Sequence, residues 1–465
     1  MNSPNNMLVL NAFDPNATRA LKDAERVMVE RRRKSFGDAV PLFYQEPVHF
    51  VRASGVWLYD QEGQPYLDAY NNVPSVGHSH PHVVQAIAEQ STRLNTHTRY
   101  LSEVVTGYAE RFLATFPADL SNVLFTSTGT ESVDLAMRIA RYHTGAAGFI
   151  VTRFAYHGHS SAVAEITPAF GPGVALGAHV RTVPAPDGYR GDPDVGTTFA
   201  RHVEEAIADL DRHGFGFAGL VLDSICSSDG LFVDPPGFLR ATADVVRRAG
   251  GLYIADEVQP GFGRMGSGMW GFARHGLVPD IVVTGKPMGN GMPIAAVIAR
   301  PDVMASFARQ SGYFNTFGGN TVCCAAAAAV LDVIEQEQLI ARAARVGQYL
   351  KQGFKKLMCN FNGIGDVRGA GLYLGVDCVK PGTREPDTQL ALRLINELRR
   401  RRILISTCGP AGNVLKIRPP LQFDIEHCDL LLDNVAEILT SGRSDDSGGW
   451  TDWRGIQSVR RRALP

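Results

Sequence analysis

Lys286 closes a short apolar run, Ile281-Val282-Val283-Thr284-Gly285, and a loop rich in glycine and proline follows it. A second run, Gly251-Leu252-Tyr253-Ile254-Ala255, ends in Asp256-Glu257-Val258-Gln259. Runs of this length predict buried strands, each delivering one charged group from its C-terminal end into the crevice where α/β folds bind ligands. An amine and a carboxylate held together there suit one chemistry especially well. Pyridoxal 5'-phosphate (PLP) needs a lysine for a Schiff base and an acid beside its pyridine nitrogen to keep that nitrogen protonated.

Such a cofactor also needs a cradle for its phosphate. Phe125-Thr126-Ser127-Thr128-Gly129-Thr130-Glu131-Ser132 follows a predicted strand and opens a helix whose apolar face is Val133, Ala136, Met137 and Ala140. Small hydroxyl residues and a glycine at a helix N-terminus offer backbone N–H groups to an anion. Alone the string reads as a helix cap; beside Lys286 and Asp256 it reads as a phosphate site. Tyr156-His157-Gly158-His159 follows another apolar run, where the tyrosine could lie flat on an aromatic ring or fill a seam between layers.

Other motifs carry less. His78, His80 and His82 alternate, but no cysteine or carboxylate pattern accompanies them, Pro81 simply starts the next helix, and no metal is expected. Gly261-Phe262-Gly263-Arg264-Met265-Gly266 matches a dinucleotide fingerprint, yet no convincing helix follows and Trp270-Gly271-Phe272 interrupts the required spacing. A glycine loop that lets backbone approach a neighbour is the better reading. Pro287 stands where a Walker loop needs Ser or Thr, which removes Lys286 from that class.

The elements that position these residues follow from length and patterning. A chain of 465 residues with 45% hydrophobic content needs more than one ordinary core. Lys plus Arg is 46 and Asp plus Glu is 47, so the charge balance favours small-molecule partners over nucleic acid or an anionic membrane. Scattered cysteines without a C-x-x-C pair and an N-terminus without a basic segment and apolar core lead us to expect a reduced, cytoplasmic, non-membrane enzyme. Residues 18–35 read as a charged helix, and 48–59 and 66–68 as strands around the turn at Gln61-Glu62-Gly63. Between 72 and 325 short apolar runs (123–126, 148–152, 219–223, 252–256, 281–284 and 295–299) alternate with amphipathic stretches, the signature of a sheet built through crossover helices. An alanine-rich helix over 325–339, a strand-turn-strand over 363–376 and a helix over 388–402 make the following part α+β. The expected division is 1–71 as the N-terminal segment of a small domain, 72–325 as the large cofactor domain, 326–440 as the rest of the small domain, and 441–465 as a flexible tail.

The motifs Thr128-Gly129-Thr130, Tyr156-His157-Gly158, Ala255-Asp256-Glu257-Val258-Gln259, Gly285-Lys286 and Asn315-Thr316-Phe317-Gly318-Gly319-Asn320 together resemble the class III aminotransferases of PLP fold type I, in order over residues 45–440. Within that family Tyr70-Asn71-Asn72-Val73, Gly77-His78-Ser79-His80-Pro81, residues 94–101 and residues 413–420 look most like the ethanolamine-phosphate phospho-lyases. The resemblance implies an α/β fold with a large domain of mostly parallel sheet flanked by helices, and a smaller α+β domain built from both chain ends. It further implies that Lys286 carries the cofactor as a Schiff base and then acts as the base, that Asp256 pairs with the pyridinium, and that Gln259 bonds the ring hydroxyl. Val258 and Tyr156 would sandwich the ring, Gly129 and Thr130 would hold the phosphate, and His157 and Asp223 would complete the cofactor contacts. Thr316 would reach the neighbouring subunit's cofactor phosphate, which implies a homodimer with shared sites. The string Thr128-Gly129-Thr130-Glu131-Ser132 replaces the family's usual Ser-Gly-Ser-Glu-Ala, Asp223 stands where glutamate is usual, and Met292 stands where the phospho-lyases carry histidine.

PLP chemistry with a primary amine then offers two outcomes. If the carbon next to the one bearing nitrogen carries a phosphate ester, proton removal by Lys286 expels phosphate by β-elimination, turning O-phosphoethanolamine into acetaldehyde, ammonia and phosphate. In an ordinary aminotransferase the amino group passes instead to a keto acid. A substrate phosphate calls for guanidinium or amide donors, for which the candidates are Arg32, Arg33, Lys34, Asn72, His78 and Arg418.

Overall fold

The computed structural model describes residues 10–14 and 21–441; the expected tail beyond Ser441 lies outside the described residues. Near the N-terminus β1 (Phe50–Ser54), β2 (Trp57–Asp60) and β3 (Pro65–Asp68) form an antiparallel meander. The run read as one strand over 48–59 is therefore a hairpin, because Gly55 takes φ +59° and turns the chain.

The chain then supplies β4 (Asn122–Thr126), β5 (Gly148–Thr152), β6 (Val180–Val183), β7 (Phe217–Asp223), β8 (Leu252–Asp256), β9 (Ile281–Thr284) and β10 (Ala295–Ala299). They make one seven-stranded sheet in the order β4-β10-β9-β8-β7-β5-β6. Strands β6, β5, β7, β8 and β9 run parallel, and only β10 runs against its neighbours β9 and β4. Helices cover both faces, which is why these strands are continuous apolar runs instead of alternating ones. Alternate residues still go to different cores. Ile254, Ile281 and Val283 pack with Val133, Ala136, Met137 and Ala140 of the helix Gly129–Thr144. Tyr253, Ala255 and Val282 pack on the other side with Phe199, Val203, Val246, Cys324 and Ala327. Strand β6 has no counterpart in the sequence reading, since Val180-Arg181-Thr182-Val183 sits at the sheet edge and is only half apolar.

The alanine-rich helix spans Thr321–Gln336, starting earlier than its alanines because Asn320 caps it by accepting from the Cys323 amide at 2.8 Å. The helix Leu339–Asn360 follows, then β11 (Ile364–Ala370), β12 (Tyr373–Cys378), the helix Thr388–Arg400, β13 (Ile403–Leu404), β14 (Ser406–Cys408), β15 (Val414–Ile417) and the helix Ile425–Ser441. Strands β11, β12, β15 and β14 form an antiparallel sheet, while β13 crosses over to pair in parallel with β3, Ile403 opposite Leu67. The glycine loop at 261–266 serves close packing: a Cβ on Gly266 would lie 2.7 Å from the Ala344 backbone, and one on Gly371 would lie 2.2 Å from the Arg264 carbonyl. Among the described residues no helix is long and apolar enough to cross a membrane.

Candidate active site

Strands β8 and β9 are parallel neighbours with Asp256 in register with Val283, so Asp256 and Lys286 emerge at the same edge of the sheet. A cavity of about 350 Å³ opens there. Lys286, Asp256, Asp223, Val258 and Gln259 line it, and so do Gly129, Thr130, Tyr156 and His157 from two other strand ends. Every cofactor residue expected from the sequence except Thr316 therefore meets in one space.

Asp256 accepts from the Val258 amide at 3.1 Å and lies 2.7 Å from His157 Nδ1. That imidazole is buried, and its Nε2 has no partner. Asp223 is held differently, by the amides of Ile225 and Ser227 at 3.0 Å each. Burial and the neighbouring Asp256 push the Asp223 carboxyl up from the ordinary carboxylate range. Lys286 projects into the open cavity, where the residue is exposed, while the protein packed around its amine desolvates it; this, aided by Arg418, lowers its ammonium to about 8 against the pull of Asp256 and Asp223. An amine so tuned is available as nucleophile and base near neutral pH.

Glu257, next to Asp256, does not face the cavity. It is fully buried and accepts from Ser224 Oγ at 2.6 Å, Gly271 N at 2.6 Å and Phe272 N at 2.8 Å, tying the ends of β7 and β8 to the loop at Trp270. Glu257→Gln turns one acceptor into a donor aimed at those N–H groups. We expect a loss of about 2–3 kcal/mol, measured by denaturant unfolding of the two proteins. An unchanged midpoint would show that the loop does not depend on this carboxylate.

The phosphate cradle is built by a capping box. Thr128 Oγ1 accepts from Glu131 N at 3.2 Å, and the Glu131 carboxylate accepts from Ser127 N at 2.7 Å and Thr128 N at 3.2 Å. The amides of Gly129 and Thr130 have no protein acceptor among the described residues at the cavity edge. Ser127 Oγ is buried there with no partner either. Thr130 Oγ1 accepts from His159 N at 3.0 Å and Ser160 N at 3.2 Å, so its own hydroxyl proton remains free to donate. A ring of unspent donors at a helix N-terminus fits a phosphate. Gly129 also admits the cofactor wall closely, since a Cβ there would lie 3.1 Å from Val258.

Beyond Gln259 the wall turns cationic. The Arg418 guanidinium, buried to 7% exposure, donates to Asn72 Oδ1 at 2.8 Å and to Gln259 Oε1, and lies 4.6 Å from the Tyr70 ring centroid. Tyr373 donates to the same Gln259 oxygen at 2.8 Å, and Gln259 Nε2 donates to Ser227 Oγ at 2.7 Å. The amide oxygen of Gln259 is thus committed to the wall, leaving one Nε2 proton for a ring hydroxyl.

None of the expected substrate contacts lines this cavity directly: Asn72 and Arg418 lie behind Gln259, and Arg33 and Lys34 stand with Arg32 on the helix Asp23–Phe36. His78 is spent on Asp68, 2.7 Å away, where it ties the loop at 77–80 to the end of β3. Arg32 lies on the exposed helix Asp23–Phe36, over the Phe36 ring. His80 and His82 pair with Glu337 and Asp332. Thr316 is exposed and away from this chain's cavity. Tyr373, Ser227 and Tyr70 were not picked out as site residues: each acts by holding Gln259 or Arg418, and only long-range packing shows that.

A mostly parallel sheet with an amine-bearing residue, a carboxylate and a helix-terminal anion cradle at one strand edge defines a PLP-dependent enzyme of fold type I. A family model described as aminotransferase class-III matches residues 43–439. The chain belongs to the class III aminotransferase family, whose cofactor is PLP. It is 40% identical over 428 residues to a Drosophila melanogaster protein named alanine–glyoxylate aminotransferase 2-like, covering 89% of this chain and 87% of that one. It is 37% identical to ethanolamine-phosphate phospho-lyase homolog 1 of Caenorhabditis elegans, covering 91% and 95%. A solved phospholyase from Arthrobacter in complex with phosphoethanolamine superposes with a TM-score of 0.86 at 43% identity, covering 89% of this chain and 99% of that one.

Proposed function

We propose that this enzyme is a phospho-lyase acting on a phosphorylated primary amine, with O-phosphoethanolamine as the leading substrate. The observation that carries the reading is the buried Arg418, whose partners Asn72, Gln259 and Tyr70 are all neutral, beside the amine of Lys286. A desolvated guanidinium without a carboxylate is an acceptor for an anionic group. The likeness to the Arthrobacter phospholyase, solved in complex with phosphoethanolamine, supports phosphate as that group.

Gly129, Thr130 and Ser127 would hold the cofactor phosphate, Asp256 its ring nitrogen, and Tyr156 and Val258 its two faces. When bound there, PLP would supply an electrophilic carbonyl for the substrate amine and an electron sink for the carbon that bears it. Lys286 takes the proton from that carbon. The C–O electron pair leaves with phosphate as the C=C bond forms, and water then releases aldehyde and ammonia. Arg418 and Asn72 orient the phosphate end so that the C–O bond stands ready to break.

The pair of sites would be shared in a homodimer. Tyr100, Leu101, Phe314 and Phe317 form an exposed apolar group around Thr316, with Tyr100 and Phe314 bridged by His97. A second copy covering it would bring Thr316 to the partner's cavity.

The test is incubation of the PLP-loaded enzyme with O-phosphoethanolamine and no keto acid. We expect phosphate, acetaldehyde and ammonia in equal amounts. Transfer of the amino group from alanine to glyoxylate without phosphate release would instead establish the aminotransferase reading, which the Drosophila relative's name supports.

A further inference from the structure

Three cations are buried beside the cavity without an ion-pair partner among the described residues: Arg264, Lys416 and Arg418, none more than 7% exposed. Arg264 is spent on backbone, donating to Leu372 O at 3.1 Å and Pro419 O at 2.6 Å, and so clamps the strand ends that carry Tyr373 and Arg418. Lys416 is different. It sits on β15 two residues before Arg418, on the same side of the chain, and is in register with Gly375 of β12 and Ser406 of β14. Its Nζ lies 5.7 Å from the ring centroid of Tyr373 and makes no hydrogen bond among the described residues. Tyr373 in turn holds the same Gln259 oxygen as Arg418. No element of the reaction derived above uses this amine.

A buried ammonium with no hydrogen bond is unfavourable, and a buried amine beside a guanidinium is more so once protonated. The groups facing Lys416 are Arg418 just past the end of its own strand, Tyr373 on β12, Cys408 on β14, and Asp223 and Lys286 from the cavity side. Burial first and Arg418 second lower it to about 7. A dianion arriving beside Arg418 reverses the balance, since it offsets the guanidinium and rewards a second positive charge.

We propose that Lys416 is the proton-linked second cation behind Arg418: it takes up a proton when the anionic end of a substrate binds. This deepens the phospho-lyase reading and rests on it for the identity of the anion. Lys416 acts through Arg418 and the Tyr373–Gln259 wall, and is a positioning residue for charge. The sign is fixed: anion binding raises the Lys416 pKa, so protons are taken up on binding and affinity falls as pH rises above about 7.

The test uses the PLP-loaded enzyme and sulfate, a tetrahedral dianion that does not itself titrate near neutral pH. Calorimetric titration at pH 8 in buffers of different ionisation enthalpy should show uptake approaching one proton per site. Lys416→Met should bind sulfate roughly tenfold more weakly and with no proton uptake. Lys416→Arg, permanently charged, should bind with restored affinity and also without uptake; should the methionine variant not load cofactor, this variant alone decides. Proton uptake that persists in Lys416→Arg, or sulfate affinity unchanged in a loaded Lys416→Met, overturns the proposal. Wild-type enzyme that releases no phosphate from O-phosphoethanolamine overturns the phospho-lyase reading separately, whatever sulfate does.

Discussion

Lys286→Ala should lose the Schiff-base absorbance band and at least roughly ten-thousand-fold in turnover, because one amine serves both as the attachment point and as the base. No other side chain at the cavity replaces it: Lys416 is buried on β15 and is not among the lining residues. The fold should not suffer. The surroundings lower the Lys286 ammonium to about 8, so between that pH and its ordinary value of 10.5 the unfolded chain binds more protons and stability rises with pH. At neutral pH the native amine is therefore a destabilised charge, and alanine relieves it. Thermal unfolding of the cofactor-free proteins should give a midpoint for the variant no lower than that of the wild type. Added methylamine should restore part of the turnover by entering the space the side chain leaves. A variant that kept the absorbance band would place cofactor attachment elsewhere.

The second large effect is expected at Asp256. Asparagine preserves its shape, so Asp256→Asn isolates the charge that would keep the ring nitrogen protonated, and turnover should fall by about a hundred- to a thousand-fold. Asp223 does not substitute for it, since its two oxygens accept from the Ile225 and Ser227 amides. Asp256→Ala should do further damage by leaving His157, already unpartnered at Nε2, without a partner at Nδ1. Steady-state kinetics of the three proteins, each saturated with PLP, measure this directly. If the asparagine variant retained more than a tenth of wild-type turnover, the carboxylate would have no electrostatic role in the reaction.

The parts of the site that were legible in the sequence are those where local order carries the chemistry. An apolar run ending in Asp256 or preceding Lys286 is both a buried strand and a delivery device, and the Thr128–Glu131 spacing announces a capping box and its free amides together. Strand β6 escaped because an edge strand needs only half its residues apolar. The hairpin at Gly55 escaped because one glycine, not a change in hydrophobicity, divides it. Residue type alone offers Arg32 as a phosphate contact, although its helix buries none of its residues. Arg418 and Lys416 look alike as text. Only long-range packing puts Lys416 beside the Tyr373 ring and Arg418 against Gln259, with no acid among the described residues in ion-pair contact with either.

The pairing of β13 with β3 orders events during synthesis. The seven-stranded sheet is complete in sequence at Ala299 and its second face is covered once the helix Thr321–Gln336 has followed, so a ribosome-bound chain can assemble it before the last strands are made. The wall made by Asn72, Tyr70 and Arg418 has to wait, because Arg418 hangs from Ala69 by a backbone hydrogen bond of 2.9 Å and β3 is not covered until residues 403–404 emerge. A nascent chain thus completes the strand ends that carry Asp256 and Lys286 before the wall around Arg418 can form.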